Sequence, residues 1–374
     1  MKHPGWKRYL ASFAAVLLPL AAGCTVNISQ EIPCQYTKTF TYDLDAVASP
    51  LLQVNARDGD VTILGAEGQT AVHVEATACT SAAEVLDEMN LEAFETDEGV
   101  LVHVVYPDGA GTTQMDLNIS APITATAQVR SGAGAMKVRG IGGLNLEHGA
   151  GAVDIAAISG PVEVTSRSGA MTVSDVAGPV QVLDKGSGQF EATDLGDKLV
   201  LKRIGAGEVH IRRVRGAVEL GDISSGDMTV EGILGPVSVG TKRSGRIAVA
   251  DVEGPVTLGN VGSGEATLER ISGPVAISSK GSGRLAISDV QGQVSLGDIG
   301  SGDLSLERVR GPVALRTKGS GNVTIADVED RVDLDAIGAG HLEVRNVQGD
   351  LTVATKGSGA VDVSGVTGAV DLPK

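Results

Sequence analysis

The sequence predicts an all-β protein, a right-handed parallel β-solenoid of about 19-residue coils with a small β-rich N-terminal cap containing one short helix. Three observations predict it. Anchor residues recur every 19 positions, from Gly178, Asp197 and Gly216 through Gly254, Gly273 and Gly292 to Gly349 and Gly368. Aligned units show aliphatic columns at fixed offsets, and each unit carries a glycine-bearing turn between two short runs of period two.

Period-two alternation is strand chemistry, because successive β side chains face opposite ways. Two residues after each anchor stand Val237, Val256, Val275, Val294 and Val313, and two further on Val239, Leu258, Ile277, Leu296 and Leu315. The second run repeats the pattern in Leu285 and Ile287 or Val323 and Ile325. A fifth aliphatic column runs from Leu195 through Val252, Val290 and Val328 to Val366. Five columns facing one way make a long aliphatic core, and the remaining positions are expected to meet water. The last glycine of the Gly-Ser-Gly turn recurs from Gly188 to Gly359, as expected where the backbone needs φ > 0. Pro161, Pro179, Pro236, Pro255, Pro274 and Pro312 follow anchor glycines, where the first strand residue tolerates a missing N–H. One unit cannot bury its apolar face alone, and stacked units can. Parallel crossovers favour the right-handed coil.

The coil could hold one unit or two. The position before the turn alternates between aliphatic and basic, as Ile223, Lys242, Val261, Lys280, Ile299, Lys318, Ile337 and Lys356, which taken alone fits a two-unit coil. Two charge ladders favour one unit: Asp227, Arg246, Glu265, Arg284 and Asp303 after the turn, and Asp251, Arg270, Asp289, Arg308 and Asp327 late in the unit. With 19-residue coils, neighbours about 4.8 Å apart carry opposite charge. With 38-residue coils, like charges would stack. About 12 to 13 coils from near Thr126 then give a rod near 60 Å, and the first units, before Gly178, are shorter by a residue or two.

Ahead of the rod the pattern changes, and residues 43–125 are expected to cap its first coil. Leu52–Asn55, Gly59–Leu64, Ala71–Ala76, Leu101–Tyr106 and Met115–Ile119 read as strands, and Ser81 with Glu84 reads as a capping box for a helix through about Asn90. Residues 24–42 read as a tether and 126–374 as the solenoid proper.

The first 23 residues read as an export signal: Lys2, Lys7 and Arg8, then an apolar run from Tyr9 to Leu20 that is short for a permanent span. Leu20-Ala21-Ala22-Gly23-Cys24 resembles the lipobox of bacterial lipoproteins, although Ala21 stands where Leu is usual. That resemblance implies cleavage before Cys24, a lipid on Cys24 and a membrane anchor, with the outer membrane favoured because Thr25, not Asp, follows. The formal net charge of −16 becomes three charges more negative when the signal leaves, which argues against nucleic acid as a partner. Cys34 and Cys79 then remain, either bridged across the tether and the cap in an oxidising compartment or left as two buried thiols.

The stretch Val54-Asn55-Ala56-Arg57-Asp58-Gly59-Asp60-Val61-Thr62-Ile63, the helix, the strand ending Ile119-Ser120-Ala121-Pro122 and the serial Ser-Gly units resemble a bacterial adhesin-like family of β-strand-repeat envelope proteins, largely of unknown function. The resemblance spans about Val47 to Leu372 and implies a fold and a place at the cell envelope. It brings no catalytic residues and no cofactor.

Other chemistry fits poorly. Lys185, Lys280, Lys318 and Lys356 each precede Gly-Ser-Gly, but no helix follows as a P-loop requires. Asp227 and Asp303 lack the calcium-binding nonapeptide around them. His73, His103, His148, His210 and His341 are dispersed and read as solvated face residues. A β-helix enzyme acting on polysaccharide needs clustered carboxylates and usually aromatic platforms, whereas Phe190 is the sole aromatic of the rod and falls in an inward column. The expectation is therefore a non-catalytic envelope rod meeting a protein or glycan. A self-assembling scaffold stacked through the C-terminal coil is the first alternative, and a polysaccharide-active enzyme the second.

Overall fold

The computed structural model describes residues 34–107 and 113–373, so Cys24 and the export signal lie outside the described residues. The chain is nearly all strand, and the strands stack into two long sheets facing each other across one aliphatic core. A representative coil runs through strands Val256–Ser263 and Ala266–Ile271, one in each sheet. Val256 pairs in parallel with Val237 on one side and Val275 on the other, so the coil is one 19-residue unit. Val256, Val275 and Val294 stack directly and are 0–1% exposed. Burying a Val, Leu or Ile side chain stabilises by about 1.5–3 kcal/mol relative to exposure, and each coil contributes five such positions against the entropy of ordering its backbone.

Thirteen two-strand coils run from Thr126 to Val366, a stack of roughly 60 Å at about 4.8 Å per strand. Its first coils are shorter. Leu144 pairs with Ala127, Val162 with Leu144 and Val180 with Val162, before a bulge at Leu183 lets Thr165 pair with Asp184 and lengthens every later coil to 19 residues. The aliphatic columns continue to the last described coil, where Val370 and Leu372 are exposed.

Stacking explains the glycines. In the turn column, Gly283, Gly302 and Gly321 have φ of 97°, 111° and 106°, and a Cβ on Gly302 would lie 2.3 Å from the Gly283 carbonyl oxygen. At the anchors, a Cβ on Gly254 would lie 2.6 Å from the backbone of Gly235. One coil's backbone rests on the next, so the turn column is glycine from Gly188 to Gly359 and the anchor column is glycine in most coils, with Asp197 and Asp330 the exceptions.

The N-terminal segment departs from the sequence reading in three ways. Tyr36–Asp45 is not tether but a strand, β1. It precedes β2 (Leu51–Asn55), β3 (Val61–Ala66), β4 (Ala71–Thr80), α1 (Ala83–Glu88), β5 (Asn90–Thr96), β6 (Gly99–Val105) and β7 (Thr113–Pro122). The helix is shorter than expected and the capping box does not form: Ala82 is the N-cap, with no side-chain cap, and Thr80 Oγ1 instead accepts the Ala82 N–H at 3.3 Å. Most of the cap, finally, belongs to the rod. β2–β3 and β6–β7 are coils in the same two sheets, and the coil formed by β8 (Thr126–Ala133) and β9 (Met136–Arg139) stacks on β2–β3, not on the later β6–β7. The chain makes its second coil first, doubles back through β4, α1 and β5 to lay the first, and then steps over to the third.

The end beyond β6–β7 is closed by antiparallel strands, β5 on β6 and β4 on β7, with β1 on β4. β1 also ties the two sheets together, because Tyr42 donates to the Leu91 carbonyl at 2.8 Å, Lys38 to the Met89 carbonyl at 3.3 Å, and the Asp45 N–H to Glu95 at 2.9 Å. Sulfur of Cys34, just ahead of β1, is bonded to sulfur of Cys79 near the end of β4, with Cα atoms 5.3 Å apart.

Candidate functional site

The late ladder sits at a corner where the backbone turns left-handed. Asp194, Arg213, Asp251, Arg270, Asp289, Arg308, Asp327 and Asn346 all have φ between 54° and 58°, and Gly232 and Gly365 occupy the same column. Pairing skips this residue in every coil, with Ala250 opposite Glu269 and then Val252 opposite Ile271. Left-handed backbone suits Asp, Asn and Gly and is uncommon for Arg. Each of these arginines is held by the aspartate of the coil before it. Arg270 Nε and an Nη donate to Asp251 at 2.6 and 2.9 Å, Arg308 to Asp289 at 2.7 and 2.9 Å, and Arg213 to Asp194 at 2.6 and 2.7 Å. These bonds hold the carboxyls of Asp194, Asp251 and Asp289 below the usual carboxylate range. The ladder is therefore a series of two-pronged clamps, not a continuous chain of alternating charge, and Asp327 is bonded to Asn346 instead of an arginine. The presence of Gly232, Asn346 and Gly365 in the column was the available sign of left-handed backbone.

The ladder after the turn is looser. Arg246 lies 3.7 Å from both Asp227 and Glu265. Asp227 and Asp303 chiefly accept backbone N–H groups of the next coil, those of Arg246 at 2.9 Å and Asn322 at 3.1 Å. Among the described residues Arg284 makes no ion pair within 4.0 Å with its ladder neighbours.

Beside the clamps runs a groove of about 950 Å³ along the rod, from Leu234 to Gly365. It is lined by clamp residues from Asp251 to Asp327 together with Leu234, Glu253, Ser272, Gln291, Arg310 and Glu329. A second groove, of about 940 Å³, follows the opposite corner over the backbone of Gly262, Gly281, Gly300, Gly319 and Gly338.

The position before the turn is a sixth inward column, where the sequence reading expected solvent. Lys185, Lys242, Lys280 and Lys318 are 0–2% exposed, with aliphatic residues in register between them. Backbone carbonyls receive each ammonium: Lys242 donates to Gly226 at 2.7 Å and to Ser244, and Lys318 to Gly300 at 3.1 Å and Ser320 at 2.6 Å. Among the described residues no carboxylate takes part in these cages, and burial pushes all four lysines below the usual amine range. The aliphatic members of the column were the signal that it faces inward. The alternation keeps the ammonium groups of Lys242, Lys280 and Lys318 two coils apart, about 9.6 Å at the strand spacing, and Lys185 lies three coils before Lys242.

The same column holds Ser131, His148 and Ser166 in three adjacent early coils, all buried, and among the described residues their side-chain polar atoms have no hydrogen-bond partner. His148 is thus not the solvated residue the sequence predicts. Burial lowers its pKa, so the unfolded state binds a proton more readily. Stability is full above the unfolded value near 6.5 and falls as pH drops below it. Protection of the amides in the coils at Leu146 and Val164, taken as exchange relative to the intrinsic rate at each pH, is expected to fall as pH drops from about 7.5 to 5.5, and in His148→Leu to lose that dependence; constant protection in the wild type would refute the placement.

The other histidines are scattered. His73 is bonded to Asp43 at 2.7 Å and Glu75 at 3.3 Å, which raises its pKa. His341 lies 3.4 Å from Asp362, and His210 3.3 Å from Glu208. Among the described residues no three His, Cys, Asp or Glu side chains are grouped to hold a metal. Phe190 is fully buried.

No family model matches the chain, and no curated protein does. Solved structures align to it at a distance. A provisionally named cell adhesion protein of Clostridium sporogenes aligns at 10% identity and a TM-score of 0.21, over 71% of this chain and 99% of its own. A provisionally named adhesin of Parabacteroides distasonis aligns at 12% identity and a TM-score of 0.23, over 89% and 96%. A provisionally named lipid binding protein of the same organism aligns at 10% and 0.20, over 87% and 96%. Superpositions this loose carry no argument about function.

Proposed function

We propose that the chain is a non-catalytic lipoprotein of the bacterial envelope, anchored through Cys24 and favouring the outer membrane, whose rod presents the clamp-lined groove to an envelope protein or glycan. The observation that supports this reading is the groove itself. It runs along several coils, and its lining includes Arg270 and Arg308, each held by left-handed backbone and a two-pronged ion pair to Asp251 or Asp289. Such a surface offers many weak polar contacts to an extended partner. A chemical step would instead call for a carboxylate or imidazole poised at one point.

Two measurements test it. Radiolabelled palmitate should enter the wild type in bacteria and not Cys24→Ala; equal labelling, or none, removes the anchor. Binding of the fluorescent chain to purified envelopes should weaken by roughly tenfold or more in Arg270→Ala/Arg308→Ala, the scale of losing well-placed guanidinium contacts, with the thermal transition little changed because exposed pairs add little stability. Undiminished binding would move the contact off this groove.

A further inference from the structure

Taking the anchor proposed above as given, we infer that the Cys34–Cys79 bond is a load path that routes tension on the anchor-side segment around β1 and into the body of the rod. β1 is an edge strand. Among the described residues it pairs only with β4, from Tyr36 opposite Thr80 to Asp45 opposite Ala71. Tension entering at the Tyr36 end would open that ladder one pair at a time, the weakest way to load a strand pair. β4 is held on both sides, by β1 and by β7, the latter over the pairs from His73–Ser120 to Thr80–Thr113. A covalent link from Cys34 to Cys79 delivers the tension directly to that doubly held strand.

What the link protects is the closed end of the rod. β1 bonds the β5 backbone through Tyr42, and the Met89 carbonyl just ahead of β5 through Lys38, while pairing with β4, so its departure would unlatch both sheets at once. It would also uncover apolar groups that pack beneath it, since Phe40, Tyr42 and Leu44 lie against the core. Without the bond, a protein pulled by its anchor would lose its cap before its coils were stressed. With it, β1 bears almost none of the load.

Single-molecule extension separates these cases. The purified chain is held by one handle joined just ahead of Cys34 and another at Pro373. After reduction, an early low-force step is expected as the residues from Cys34 to Leu51 pay out, roughly 60 Å of contour. The oxidised chain should lack that step and extend only when the rod yields. The same early step in oxidised protein, or no step after reduction, overturns the inference. So does tryptic cleavage at Lys38 in reduced protein under no load, since the bond would then be holding β1 against thermal fraying. The experiment uses chain without lipid, so its outcome is independent of whether Cys24 is acylated.

Discussion

Val261→Lys is expected to destabilise the central coils by about 3–5 kcal/mol. Val261 lies in register between Lys242 and Lys280, so the substitution would place three ammonium groups in consecutive coils. Strand spacing sets them about 4.8 Å apart, where two unit charges repel by about 3–4 kcal/mol even at an effective dielectric of 20. The new ammonium would also have to be taken out of water with its neighbours already using carbonyls of the adjoining turns. Urea unfolding, read by hydrogen exchange at coils 237–290, measures the loss. Two controls isolate the charge. Val261→Ile should stay within about 1.5 kcal/mol, and Lys242→Ile should be neutral or stabilising, because Ile223 and Ile299 fill the same position in other coils. An unaltered midpoint in Val261→Lys would mean that the column opens to solvent.

Gly302→Ala is the second large effect, expected at about 2–4 kcal/mol. Its φ of 111° falls where side chains rarely go, and its Cβ would press to 2.3 Å on the Gly283 carbonyl oxygen. Relief would require lifting one coil off another, which costs pairing along the whole turn. Gly232→Asn is the contrast. Gly232 has φ of 69°, a left-handed angle that Asn tolerates, and its nearest neighbour to a Cβ is 3.6 Å away. Equal melting of Gly302→Ala and the wild type would show that the glycine column is dispensable.

Several elements were legible because they repeat. Val256, Val275 and Val294 stand at one offset in successive units, so their stacking followed from spacing alone. The ladder of Asp251, Arg270, Asp289 and Arg308 was legible as a set of neighbours, but its division into separate clamps was not, since that depends on which way each guanidinium leans. Lys242 and Lys280 were misplaced because a charged residue at a turn ordinarily meets water, and only a ring of backbone carbonyls makes the interior tolerable. His148 was misplaced for the same reason, since it stands in register with Ser131, Ser166 and, through them, Lys185 in a column read as facing solvent. β1 and β5 were missed because each occurs once.

By itself, then, the sequence determined the nineteen-residue coil, the aliphatic columns and the stacked turn glycines, since these follow from periodicity and the two-faced geometry of a strand. Tertiary structure alone decided the doubled-back order of the first coils, the caged lysines, the clamps along the groove and the strap that closes the rod. Each of those depends on contacts between coils whose partners are set by three-dimensional register, which no local spacing along the chain encodes.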